Sequence, residues 1–146
     1  MVGLFLSMAL AAPALAQQVT YRKDIRPLWG AKCSACHGPD APYLGEFSEN
    51  KDKYKAIGKG PRMDTYADLL FFIAWPDTGA IMRRLDDGKN AKDGKPGNMY
   101  STLGATEAER QKNLARFKEW IGKDAWTLKR RDAITKDELA RIQAKY

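Results

Sequence analysis

Apolar residues in this chain fall into short stripes with helical spacing, divided by glycine and proline, and no alternating run is long enough to make a strand. The pattern predicts an all-α fold. Gln17 to Arg26 reads as an extended lead-in, and Pro27, with its fixed φ and missing amide hydrogen, suits the first turn of a helix running into Cys36 with Leu28 and Trp29 turned inward. Gly38, Pro39, Pro42, Gly45, Gly58, Gly60 and Pro61 break the stretch from Gly38 to Arg62, which reads as a loop. Asp64 or Thr65 caps a helix through about Trp75, apolar on nearly every side across Leu69, Leu70, Phe71, Phe72 and Ile73 and therefore in need of cover on nearly every side. Pro76 ends it. Thr78 then caps a short helix bearing Ile81, Met82 and Leu85, stopped by Gly88, and residues 86–95 alternate in charge as a solvated loop does. Thr106 and Glu109 have capping-box spacing ahead of Leu114, Phe117 and Ile121 on one stripe, closed by Gly122. Trp126 and Leu128 are expected to fold back onto the core, and Thr135 with Glu138 opens a terminal helix ending at Tyr146.

The chemistry is concentrated in five residues. The chain has two cysteines and one histidine, and all three lie in Cys33-Ser34-Ala35-Cys36-His37. C-x-x-C-H is the attachment pattern of covalent c-type haem, in which both thiols become thioethers and the neighbouring histidine takes the iron. A helical turn explains the spacing, because two thiols three residues apart reach one edge of the macrocycle and the next side chain swings beneath the metal. Three plainer readings compete with it: a redox dithiol, half of a zinc site, or a short structural disulfide. Zinc needs about four ligands, more than this chain's cysteines and histidine supply, and a redox dithiol belongs after a strand in a βαβ pattern that is not found here. One haem c, anchored by Cys33 and Cys36 with His37 on the iron, is the expectation.

Export and charge narrow the setting. Leu4 to Leu15 is an apolar run too short to span a bilayer, and Ala14-Leu15-Ala16 is a small-x-small cleavage site, although Met1-Val2-Gly3 lacks the usual basic lead. Residues 1–16 are therefore expected to be a cleaved signal peptide, leaving 17–146 as a single domain in the periplasm of a bacterium, where c-type haem is attached. The net charge of +7 is uneven. Positive side chains crowd residues 110–131 and again 51–62, where Lys51, Lys53, Lys55, Lys59 and Arg62 face only Asp52. Nucleic acid is excluded as a partner by export, so the two patches suit either an acidic or membrane-bound redox partner or a merely solvated face.

Asp24-Ile25-Arg26-Pro27-Leu28 running into C-x-x-C-H-G resembles the opening of bacterial cytochrome c domains, and the chain is similar to the monohaem class I c-type cytochromes over about residues 21–122, with 123–146 as an extension carrying an extra helix. Its general pattern is also similar to the monohaem cytochromes of metal-reducing and electrode-respiring bacteria. The resemblance implies helices wrapped around one haem. It implies that a proline carbonyl accepts the second ring N–H of His37, with Pro61 favoured over Pro42. It implies too that the distal ligand is a methionine in the loop before the last core helix, where Met99 stands ahead of Met82 and Met63. Tyr66, Trp75 and Arg62 are candidate donors to the haem propionates, with core packing as the alternative for the aromatics. The function so implied is single-electron transfer by a monomer with no catalytic residues and no small-molecule substrate. A five-coordinate haem that binds a gas or peroxide, and a haem subunit of a larger redox complex, are the other readings.

Overall fold

The first helix starts before Pro27, because Thr20 supplies the cap. Thr20 is extended, with φ −125° and ψ 158°, and its hydroxyl accepts the Lys23 N–H at 3.3 Å while the Asp24 carboxylate accepts the Thr20 N–H at 3.0 Å. A π-helical turn, Tyr21–Ile25, then runs directly into α1, Arg26–Lys32, with Pro27 in its first turn. The lead-in expected to be extended as far as Arg26 is thus helical from Tyr21, a stretch whose Tyr21 and Ile25 are buried in the core. This computed structural model describes residues 18–146; the expected signal peptide lies outside the described residues.

Helix α2, Ser34–His37, is a single turn set off from α1 by Cys33. The segment read as a loop contains two further helices, α3, Leu44–Glu49, and α4, Lys51–Ala56. Its breakers sit at the ends: between Gly45 and Gly58 there is neither glycine nor proline, and the Glu46 side chain accepts the Tyr43 N–H at 2.8 Å to close the first turn. Helix α5, Tyr66–Ile73, begins at a full capping box between Thr65 and Asp68. Helix α6, Ala80–Leu85, is capped by Gly79 in the left-handed region at φ 71° and not by Thr78, whose buried hydroxyl donates to the Ala74 carbonyl. A 3-10 turn, Tyr100–Leu103, precedes α7, Glu107–Ile121.

Only half of the predicted capping box opens α7. The Thr106 hydroxyl accepts the Glu109 N–H at 3.2 Å, but the Glu109 carboxylate turns to the Ala105 N–H at 2.9 Å and to Lys32 Nζ at 2.5 Å, tying α1 to α7 beside the cysteines. Helix α8, Lys136–Ala140, has the complete box and is shorter than expected. Residues 141–146 leave the helix because their carbonyls serve other donors: Lys145 O accepts from Tyr21 N at 2.7 Å and from Trp120 Nε1 at 2.8 Å, and Ala144 O accepts from Tyr66 Oη at 2.7 Å. The described chain is therefore helical without strands, its two ends paired. The core gathers Ile25, Leu69, Ile73, Met82, Leu103, Leu114, Phe117 and Trp120. Each such side chain contributes about 1.5–3 kcal/mol by leaving water. Trp126 and Leu128 pack on this cluster as the sequence predicts. Among the described residues no helix is long and apolar enough to cross a membrane.

Candidate functional site

Hydrogen bonds from His37 N to Cys33 O at 2.9 Å and from Gly38 N to Ser34 O at 2.8 Å wind the motif into one turn. Its three reactive side chains, Cys33, Cys36 and His37, all line a cavity of about 770 Å³. The chain returns along this turn: Gly60 N donates to Cys36 O at 3.0 Å and Met63 N to His37 O at 2.9 Å. That return brings the Pro61 carbonyl to 2.8 Å from His37 Nδ1, whereas the Pro42 carbonyl accepts from Arg62 N. A carbonyl only accepts, so Nδ1 carries the proton and the Nε2 lone pair is left free. Burial pushes the His37 pKa down, and the Pro61 bond opposes it in part. Position 60 admits no side chain, because a Cβ there would lie 2.7 Å from Nδ1 and 3.0 Å from Nε2 of the ring.

Both thiols are free. Burial, with Cys36 beside it, pushes the Cys33 thiol up to about 12, opposite to the depressed value that a redox dithiol needs to present a thiolate. No group of three or more metal-ligating side chains occurs among the described residues.

The three methionines of the domain part company. Met82 is fully buried and its Sδ accepts the Thr127 N–H at 3.2 Å, outside the cavity. Met63 and Met99 line the cavity, the former on the segment paired with His37, the latter beside Arg84, Leu85 and Asn98. The candidate propionate donors are elsewhere. Arg62 pairs with Asp64 at 2.5 Å and lies over the Tyr43 ring, Tyr66 donates to the tail, and Trp75 is 57% exposed under Arg131. Instead α3 and α4 send Leu44, Phe47, Ser48, Lys51 and Lys55 to the cavity. Their i, i+3, i+4 spacing was the signal for these two helices, hidden by the prolines and glycines around them.

The residues present suit a haem. The cavity is of ligand size, with thiols at one edge, an imidazole nitrogen aimed for a metal and apolar walls at Phe72 and Ile81. Trp29 lines it too, beside Cys33 and His37. Lys51 and Lys55 form no ion pair among the described residues and stand at the cavity, matching an occupant with two carboxylates.

Comparison with known proteins agrees with this chemistry. The PccH cytochrome c family matches residues 20–146. The chain is 57% identical to the monohaem cytochrome PccH from Geobacter sulfurreducens, whose solved structure superposes with a TM-score of 0.82, the match covering 88% of this chain and 99% of that one. No curated protein matches.

Proposed function

Because the chain belongs to the PccH cytochrome c family and so carries one covalently attached haem c, we propose that it is a periplasmic electron carrier whose iron is held between His37 and Met99. The observation that carries the reading is the meeting, in one cavity, of the free Nε2 of His37 with the Met99 thioether, while the Met82 sulfur is engaged elsewhere. Bound there, the haem supplies a one-electron couple, which asks for no acid, base or nucleophile from the protein. Cys33 and Cys36 anchor its edge, and the Pro61 carbonyl fixes the His37 tautomer and strengthens the donor nitrogen. A thioether is a soft ligand that favours the ferrous state. With His37 and Met99 both holding the iron, the haem would offer no place for a substrate, so the role proposed is that of a carrier and not of an enzyme. The positive side chains of residues 110–131, with Lys53 exposed on α4, steer an acidic redox partner, an attraction that weakens with salt.

The test is the optical spectrum of the haem-loaded protein beside Met99→Ala. A low-spin wild-type spectrum with the weak sulfur-to-iron band at the red end, lost in Met99→Ala, is the expected result. A high-spin wild type that takes up carbon monoxide at once would overturn the carrier reading in favour of a gas- or peroxide-binding haem.

A further inference from the structure

Met99 owes its place to a buried carboxylate some distance along the chain. Asp86 caps the end of α6 and is 1% exposed. One carboxylate oxygen accepts from Gly88 N at 2.9 Å and Asn90 N at 3.3 Å, the other from Asn90 Nδ2 at 2.8 Å and Trp126 Nε1 at 2.8 Å. Three of those donors belong to the loop that leads to Met99. The fourth comes from the C-terminal extension. The neck of the same loop is closed by the backbone, with Gly97 N bonded to Asp86 O at 2.8 Å and Met99 N to Arg84 O at 3.0 Å. Gly97 permits this approach, since a Cβ there would collide with the Arg83 and Arg84 carbonyls. Asp87 adds an anchor on α7 by accepting from Gln111 Nε2 at 3.0 Å.

The extension in turn is pressed onto α6 at three successive points. Trp126 donates to Asp86 under the Lys118 ammonium, Thr127 N donates to Met82 Sδ at 3.2 Å, and Arg83 Nη1 donates to Lys129 O at 3.0 Å. Residues 126–129 therefore form a brace on the outside of the helix whose inner face lines the cavity.

We infer that Trp126 and Asp86 are positioning residues for the distal ligand: the C-terminal extension, through this one hydrogen bond, holds the 86–99 loop shut and so keeps Met99 on the iron. The inference rests on the reading of Met99 as that ligand. Neither residue touches the cavity. Their effect is on the population of a loop conformation in which Met99 is withdrawn, and an outside ligand binds more tightly in proportion as that population grows. Removing the indole donor leaves a buried carboxylate short of a partner, a cost relieved by letting the loop open to water.

The test is an imidazole titration of the haem-loaded protein, read by loss of the sulfur-to-iron band, in wild type, Trp126→Phe, Asp86→Asn, Tyr66→Phe and Met99→Ala. Phenylalanine keeps the ring beneath Lys118 and drops only the N–H. Trp126→Phe and Asp86→Asn are each expected to bind imidazole about tenfold more tightly than wild type, and the double variant no more tightly than the stronger single one. Tyr66→Phe breaks the other clasp of the extension, at Ala144 O, and is expected to lower thermal stability with imidazole affinity unchanged. Wild-type affinity in Trp126→Phe, or an equal gain in Tyr66→Phe, would overturn the inference, the latter by showing that general loosening is enough. If Trp126→Phe does not accumulate with haem, Asp86→Asn decides the matter by the same criterion. A sulfur-to-iron band that survives in Met99→Ala sinks the ligand reading itself, a failure distinct from wild-type affinity in the positioning variants.

Discussion

The His37 wall and the Met99 wall of the cavity are held by different means. His37 follows directly on the cysteines, and its polar contacts are main chain, from its own turn and from one returning segment, with Gly60 against its ring, Pro61 on Nδ1 and Met63 on its carbonyl. Met99 depends on α6, on a loop organised around the buried Asp86 and on the extension that donates Trp126. Backbone contacts between adjacent segments leave a ligand few ways to move, whereas a side-chain clasp from a distant segment opens when one donor is lost. On the proposed ligation by His37 and Met99, exchange is expected on the methionine side, with His37 retained.

The sharpest challenge to that contrast is Met82→Ala. Emptying a fully buried site costs about 2–5 kcal/mol, and it also removes the acceptor of the Thr127 N–H. Urea unfolding should register the loss while the sulfur-to-iron band of the folded protein persists. A band lost in Met82→Ala but kept in Met99→Ala would make Met82 the ligand. Next comes Gly60→Ala, which forces a methyl group into the His37 ring and is expected to destabilise by about 1–3 kcal/mol with a changed haem spectrum. Gly45→Ala, in α3 with open space at its Cβ, is its control and should be neutral or stabilising by up to about 1 kcal/mol. If both glycine variants behave alike in unfolding and spectrum, the His37 wall is less rigid than the geometry requires.

The smallest effect belongs to the cap of α8. Glu138 is held well below its usual 4.5, to about 2, by Lys129 and by the Thr135 N–H. A carboxylate with a depressed folded pKa stabilises above its unfolded value, and the gain disappears as pH falls from about 4.5 toward 2. Glu138→Gln should lower the melting temperature slightly at neutral pH and not at the acid end. The sulfur-to-iron band should be unaffected by the substitution, since Lys129 meets Arg83 through its main-chain carbonyl and not through the ammonium that pairs with Glu138.

What was legible in the sequence follows the same division. C-x-x-C-H is a local pattern with chemistry written into its spacing and was visible before any fold was known, whereas Pro61, beyond α3 and α4, was favoured over Pro42 only through the family resemblance. Capping residues gave α5, α7 and α8 because Thr65, Thr106 and Thr135 act on amides three residues away. Asp86 was misjudged. Counted by charge it belongs to a solvated run, and only the arrival of Trp126 from forty residues on makes it a core residue. Helices α3 and α4 were missed for a related reason, since their inner face has little to pack on until the cavity is assembled. The tail was taken for helix because nothing in its own residues reveals that Tyr21, Tyr66 and Trp120 need its carbonyls.

That last pairing bears on the order in which the molecule is made. Synthesis delivers the cysteines more than a hundred residues before Lys145, yet the amide of Tyr21 and the indole of Trp120 both wait for the Lys145 carbonyl. This long-range pairing of Tyr21 with Lys145 is therefore a late seam of the fold. Until it closes, the thiols of Cys33 and Cys36 belong to an unfinished surface, open to whatever enzyme joins them to the porphyrin.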